Sequence, residues 1–212
     1  MKKYLLLFSI SIIGFGCQKS EKELSLPFFN SADFSPEWID KESKAFEEIH
    51  TIDRFSFLNQ NGEEVTNFDL EGKIYVADFF FTICPSICPK MTSNLATIQD
   101  SFNPEEVKLL SFSVMPWADS VSVLHNYAEV RGIDSKQWNL LTGDTDKIYD
   151  LARKSFFAEK EIGLNKDSNE FLHTENFILV DGKGRIRGVY NGTLPLEMTR
   201  LKEDIKTLLE QG

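Results

Sequence analysis

Positive charge is scarce in this chain, and so are cysteine, histidine and long apolar runs. Lys and Arg number 23 against 33 Asp and Glu, for a formal net charge of -10 at pH 7. An acidic surface of that kind repels phosphate backbones, so nucleic acid is excluded as an expected partner. One apolar run stands out, Leu5 to Phe15, and it is too short for a comfortable membrane-spanning helix. No second run of spanning length follows, and there is no internal repeat or low-complexity segment. Cysteine and histidine occur three times each, so any thiol or metal chemistry has few side chains to draw on.

The first residues read as an export signal rather than a fold element. Lys2 and Lys3 form a basic start, the apolar stretch follows, and Gly14-Phe15-Gly16 lead into Cys17 and the polar Gln18-Lys19-Ser20-Glu21. The segment resembles a bacterial lipoprotein signal, although Gly14 and Phe15 depart from the commonest Leu-Ala-Gly-Cys form. That resemblance implies cleavage before Cys17 and acylation of its new N-terminus. The product would be a water-soluble domain held at a membrane and facing the periplasm. Loss of residues 1–16 removes Lys2 and Lys3 and makes the net charge two units more negative. With Cys17 set aside, Cys84 and Cys88 remain as two thiols four residues apart in an exported protein.

With 212 residues, 42% of them hydrophobic and 12% aromatic, the chain can bury one sizeable core. The expected organisation is a signal over 1–16, a tether over 17–50 and one domain over 51–212. The tether mixes charges, Ser, Pro27 and Pro36 without sustained periodicity, and its Phe28, Phe29, Phe34 and Trp38 either dock on the domain or meet a partner. Phe55, Phe57 and Leu58, then Asn59-Gln60-Asn61-Gly62 and Val65, predict a small N-terminal hairpin. Ile74 to Phe81 and Val107 to Val114 are nearly continuous apolar runs, as in strands buried on both faces. Met91, Leu95, Ile98 and Phe102 recur at helical steps, as do Val121, Leu124 and Ala128. Trp138 to Leu141 suits a third strand. Asp144 suits the cap of a helix burying Ile148, Leu151, Ala152 and Phe156. A hairpin of Phe177 to Val180 and Ile186 to Tyr190, and a helix over Leu196 to Leu209, close the chain. The order predicts an α/β, thioredoxin-like fold: a mixed central sheet flanked by helices.

Thr82-Ile83-Cys84-Pro85-Ser86-Ile87-Cys88-Pro89 joins a buried strand to a helix. Pro89 is tolerated only in a first helical turn, so the helix is expected to start near it, with both cysteines in the turn before. A helix start favours thiolates, and the spacing lets both sulfurs reach one point, as a disulfide or as metal ligands. A purely structural disulfide is a poor explanation, because so short a loop gains little from closure.

Phe79-Phe80-Phe81-Thr82 before Cys84-Pro85-Ser86-Ile87-Cys88-Pro89 resembles the motif of the Sco/SenC copper chaperones. Trp138 to Gly143 and Leu172-His173-Thr174 with Phe177 to Asp181 are similar to two further segments of that family, in the same order. The resemblance spans about residues 52–210. It implies that Cys84, Cys88 and His173 bind copper, that the two cysteines also cycle through a disulfide, and that copper passes to the copper-bearing subunit of cytochrome c oxidase as its dinuclear centre is assembled. A thiol reductant protein is then a second expected partner. Where the family usually shows Val-Asp-Pro, this chain has Val114-Met115-Pro116, so a carboxylate expected near the metal is missing. Met115 is either a soft ligand or a packing residue. Asp78, inside an apolar strand, is either a neighbour of the metal ligands or a satisfied buried acid.

Two thiolates and an imidazole suit copper(I), with zinc as the competing ion. Export to an oxidising compartment favours copper, whose loading couples naturally to dithiol–disulfide cycling. His50 and His125 are expected to be surface or structural residues. The alternative function is an enzyme, a membrane-tethered thiol–disulfide reductase. Such exchangers usually carry a proline before the strand facing the site, and none occurs between Pro116 and Pro195.

Overall fold

The computed structural model describes residues 25–158 and 174–211. Cys17 and His173 lie outside the described residues. The strands are β1 (Ser56–Leu58), β2 (Glu64–Thr66), β3 (Ile74–Phe80), β4 (Val107–Ser113), β5 (Trp138–Leu141), β6 (Asn176–Val180) and β7 (Ile186–Asn191). The helices are α1 (Ile87–Gln99), α2 (Val121–Arg131), α3 (Thr145–Asp150) and α4 (Pro195–Gln211).

β1 and β2 pair as the expected hairpin, and the other five strands form one sheet in the order β5-β4-β3-β6-β7. β5, β4 and β3 run parallel, whereas β6 and β7 are antiparallel to their neighbours. The mixed sheet follows from the connections: helical crossovers return β4 and β5 in parallel, and the Asp181–Gly184 turn reverses β7. Gly184 takes a φ of 77° there, a conformation that glycine adopts without strain.

Alternation along β3 divides the core. Tyr75, Ala77 and Phe79 face the hairpin, α3 and the N-terminal segment, while Ile74, Val76 and Phe80 face α1, α2 and α4. Both faces are covered, which is why β3 reads as an unbroken apolar run. α3 begins at the expected cap: Lys147 N–H donates to Asp144 Oδ1 at 3.0 Å. It then widens into a π-helical turn over Leu151–Ser155, which keeps Leu151, Ala152 and Phe156 buried as the pattern required.

Residues 25–50 run along the domain rather than away from it. Phe28 is buried, and its ring lies 4.1 Å from the Arg187 guanidinium and 5.1 Å from that of Arg185. Arg187 donates to Pro27 O at 3.0 Å and Leu26 O at 2.6 Å, while Asp181 pairs with Arg185 at 2.9 Å and Arg187 at 3.2 Å. Phe29 N–H donates to Ile186 O at 3.1 Å. Phe29 and Phe34 pack on the hairpin-side core, but Trp38 stays exposed. The stretch expected as a tether over 17–50 is therefore docked at residues 26–29, Phe34 and His50, with Arg187 satisfying backbone carbonyls and an aromatic face together.

Arg187→Ala should lower the unfolding free energy by about 3 kcal/mol, since it leaves Asp181 short of a buried partner and frees two carbonyls. Chemical denaturation measures this. A loss below about 0.5 kcal/mol would show that the segment is held by other contacts.

Candidate metal centre

β3 delivers the chain to a loop over 81–86, and α1 starts at Ile87, two residues earlier than Pro89 suggests. Pro89 occupies the third helical position, still inside the first turn where its missing N–H costs nothing. Cys88 accordingly sits within the helix, and only Cys84 precedes it. The Ser86 side chain makes no cap. The Cys84 sulfur takes that place, accepting hydrogen bonds from the N–H groups of Cys88, Ser86 and Ile87. Sulfur replaces the hydroxyl oxygen that usually closes a helix start.

The two thiols are unbridged and both buried, at 8% and 3% exposure for Cys84 and Cys88. They act on each other: the Cys88 thiol favours the ionised form of Cys84, and Cys84 disfavours ionisation of Cys88. Burial works against ionising Cys84, but the helix N–H groups and the Cys88 thiol outweigh it and hold this thiol below the ordinary cysteine value. Burial pushes Cys88 up to about 12, despite a hydrogen bond from Phe81 N–H, and the nearby negative charge of Cys84 and Asp78 adds to the rise. Cys84 is therefore the more easily ionised of the two thiols.

Asp78 lies on β3 between Val76 and Phe80, so alternation points it to the cysteine face. It is 3% exposed and accepts from Ser111 Oγ at 2.5 Å, and Ser111 accepts from Trp138 Nε1 at 2.8 Å. Burial raises its carboxyl to about 7 against the pull of the Ser111 hydroxyl. Met115 is half-buried on the loop after β4, with its N–H on Ser113 Oγ at 3.1 Å. His50 donates to Ser155 O at 2.8 Å and stacks on Phe157, and His125 is exposed beside Glu129, so both are structural or surface residues.

Among the described residues, no three His, Cys, Asp or Glu side chains converge as a metal site. The thiol pair is the described part of the expected ligand set. β6 is antiparallel to β3, with Ala77 opposite Ile178 and Tyr75 opposite Val180. Its first residues, and Thr174 just before them, thus lie at the end of the sheet where β3 presents the cysteines.

Residues without any sequence signal complete the surroundings. Asp119, fully buried, accepts from Thr82 N–H at 3.2 Å, Thr82 Oγ1 at 2.5 Å and Ser113 Oγ at 2.5 Å. Tyr127 shares a 2.8 Å hydrogen bond with Thr92, whose hydroxyl donates to Cys88 O at 2.9 Å. Asp119 is one acid among 33 Asp and Glu in the sequence, and nothing in its neighbours marks it as buried.

The SCO1/SenC family model matches residues 43–210, across the hairpin, the sheet, the cysteine loop and all four helices. The chain belongs to the SCO1/SenC family. A SCO1/SenC family lipoprotein from Bacillus anthracis superposes with a TM-score of 0.66 at 31% identity, over 76% of this chain and 95% of that one. BsSco, a member of the Sco family of cytochrome c oxidase assembly proteins in which a disulfide switch is identified, gives 0.65 at 30%, over 77% and 96%. ScoI of Arabidopsis thaliana, solved with copper bound, gives 0.58 at 23%, over 76% and 98%; that likeness is one of fold. The fold is thioredoxin-like, as expected, and the SCO1/SenC assignment accounts for the cysteine loop at its sheet end.

Two measurements check the electrostatics. Iodoacetamide at neutral pH should alkylate Cys84 well ahead of Cys88, as read by peptide mass spectrometry; equal rates would remove the asymmetry. For Asp78, the folded form holds a proton that the unfolded chain gives up from about pH 4. Its stabilising contribution is full below the unfolded value of 3.8 and falls by about 1.4 kcal/mol per pH unit up to about 7. Denaturation at pH 5 and pH 7 should show that loss in the parent protein and not in Asp78→Asn.

Proposed function

We propose that this chain is a lipid-anchored copper chaperone that holds copper(I) between Cys84, Cys88 and His173. It passes the ion to the copper-bearing subunit of cytochrome c oxidase while the dinuclear copper centre is assembled. The observation that carries this reading is the pair of unbridged, buried thiols at the start of α1, one of them easier to ionise than an ordinary cysteine. Soft, paired sulfur donors suit copper(I), and both cysteines belong to a buried cluster of aliphatic and aromatic side chains.

The third ligand is supported by topology. His173 directly precedes Thr174, at the end of the sheet where β3 presents the cysteines. Three ligands leave one side open for an incoming donor, so transfer proceeds by exchange of shared ligands rather than by bond cleavage in a substrate. Binding at the pair displaces the Cys88 proton, which is the most tightly held of the site. Asp78 beside it, with a carboxyl raised to about 7, is an acceptor on the same face. Anchoring through Cys17 on the periplasmic side places the domain at the membrane that holds its recipient, and a thiol reductant restores the dithiol after oxidation.

A second reading is favoured by the inequality of the two thiols. Cys84 as attacker and Cys88 as resolver is the division of labour of a thiol–disulfide reductase. Absence of a proline between Pro116 and Pro195 counts against it.

Copper titration of the reduced protein lacking residues 1–20, followed by sulfur-to-copper charge-transfer absorption, should saturate at one ion per chain. His173→Ala should weaken copper retention by more than about tenfold while leaving stoichiometric disulfide exchange in place. Equal loss of both activities, or catalytic reduction of a model disulfide without copper, would favour the reductase.

A further inference from the structure

The loop carrying Cys84 and the loop following β4 are joined at one point, and Asp119 makes the join. Its Oδ1 accepts the Thr82 hydroxyl at 2.5 Å; its Oδ2 accepts both Thr82 N–H at 3.2 Å and the Ser113 hydroxyl at 2.5 Å. Ser113 Oγ accepts in turn from Met115 N–H at 3.1 Å, and Asp119 N–H donates back to Met115 O at 2.9 Å. Asp119 is 0% exposed. Three donors occupy its two oxygens, so this carboxylate is not a spare metal ligand standing in for the one missing at Met115. Its effect reaches the thiols through Thr82, two residues before Cys84.

That position matters for the thiol pair. Joining the unbridged Cys84 and Cys88 brings their sulfurs to about 2.05 Å, and the chain around them must adjust. α1 fixes Cys88 from one side. On the other side, the backbone at Thr82 is held by Asp119, so the adjustment is confined to the few residues between Thr82 and the helix. A short loop pinned at both ends favours one thiol geometry over the other.

We propose that Asp119 is a positioning residue that sets the reduction potential of the Cys84–Cys88 pair by holding Thr82 in the place that suits the dithiol. The proposal rests on the redox-active pair of the proposed function, and its readout requires no copper. The unbridged thiols occur with Asp119 fully engaged, so loss of its oxygens removes a contact made in the dithiol form. Oxidation of the pair then becomes easier. Asp119→Asn turns one acceptor oxygen into a donor group and cannot serve all three donors.

The test is equilibration of the full chain with dithiothreitol and its cyclic disulfide. In that exchange two electrons and two protons pass from one dithiol as the other's disulfide is reduced. Asp119→Asn should shift the equilibrium constant about tenfold toward the Cys84–Cys88 disulfide, about 30 mV for a two-electron couple. Thr82→Val, which keeps the N–H and loses the hydroxyl, should shift it in the same direction, and Thr82→Ser should restore the parent value. Arg187→Ala, remote from the loop, should reduce stability without moving the potential. Should Asp119→Asn fail to fold, Thr82→Val and Ser113→Ala carry the same measurement. Potentials within twofold of the parent in the folded variants would overturn the proposal, as would an equal shift in Arg187→Ala. The expected shifts in the Asp119 and Thr82 variants, with no copper uptake by the parent, would instead remove the copper reading and support this one.

Discussion

The contact on which the site depends is that between the Cys84 sulfur and the open start of α1. A helix leaves its first N–H groups without partners, and here the preceding serine does not supply one. The sulfur of Cys84 accepts three of these groups, so one contact closes the helix, lowers the proton affinity of the thiol and holds it against Cys88. Structure and reactivity share the same hydrogen bonds. A hydroxyl in its place would cap the helix as well and carry no redox or soft-metal chemistry.

Around this contact the protein buries two carboxylates and uses them differently. Asp78 accepts from the Ser111 hydroxyl, and burial holds its proton to about pH 7. Asp119 receives three donors and is spent on structure. Desolvation penalises a buried charge, and at Asp78 the Ser111 hydroxyl does not offset it. The same rule orders the two thiols, since Cys84 meets several N–H groups and Cys88 meets mainly apolar surroundings.

At the other end of the molecule, the Arg187–Asp181–Phe28 cluster makes residues 25–50 part of the folded body. Docking reaches at least as far back as Leu26, whose carbonyl accepts from Arg187 at 2.6 Å.

Much of the fold could be read from periodicity. Apolar runs at β3 and β4, the helical steps of α1 and α4, the Asp144 cap and the turn before β7 are local signals, set by burial and turn chemistry within a few residues. The cysteine pair and its place at a strand-to-helix junction were legible for the same reason. α1 starts near Pro89 but early enough to take in Cys88, because proline fits several first-turn positions and so does not fix which one it takes. The docking of residues 25–50 and the burial of Asp119 depend on partners far along the chain, at Arg187 and Thr82. Sequence alone settled which side chains could do chemistry here and that they sit where a strand meets a helix. Only the tertiary structure decided which sulfur loses its proton first and which acid fixes the loop, because both depend on the donors that distant segments bring to a buried atom.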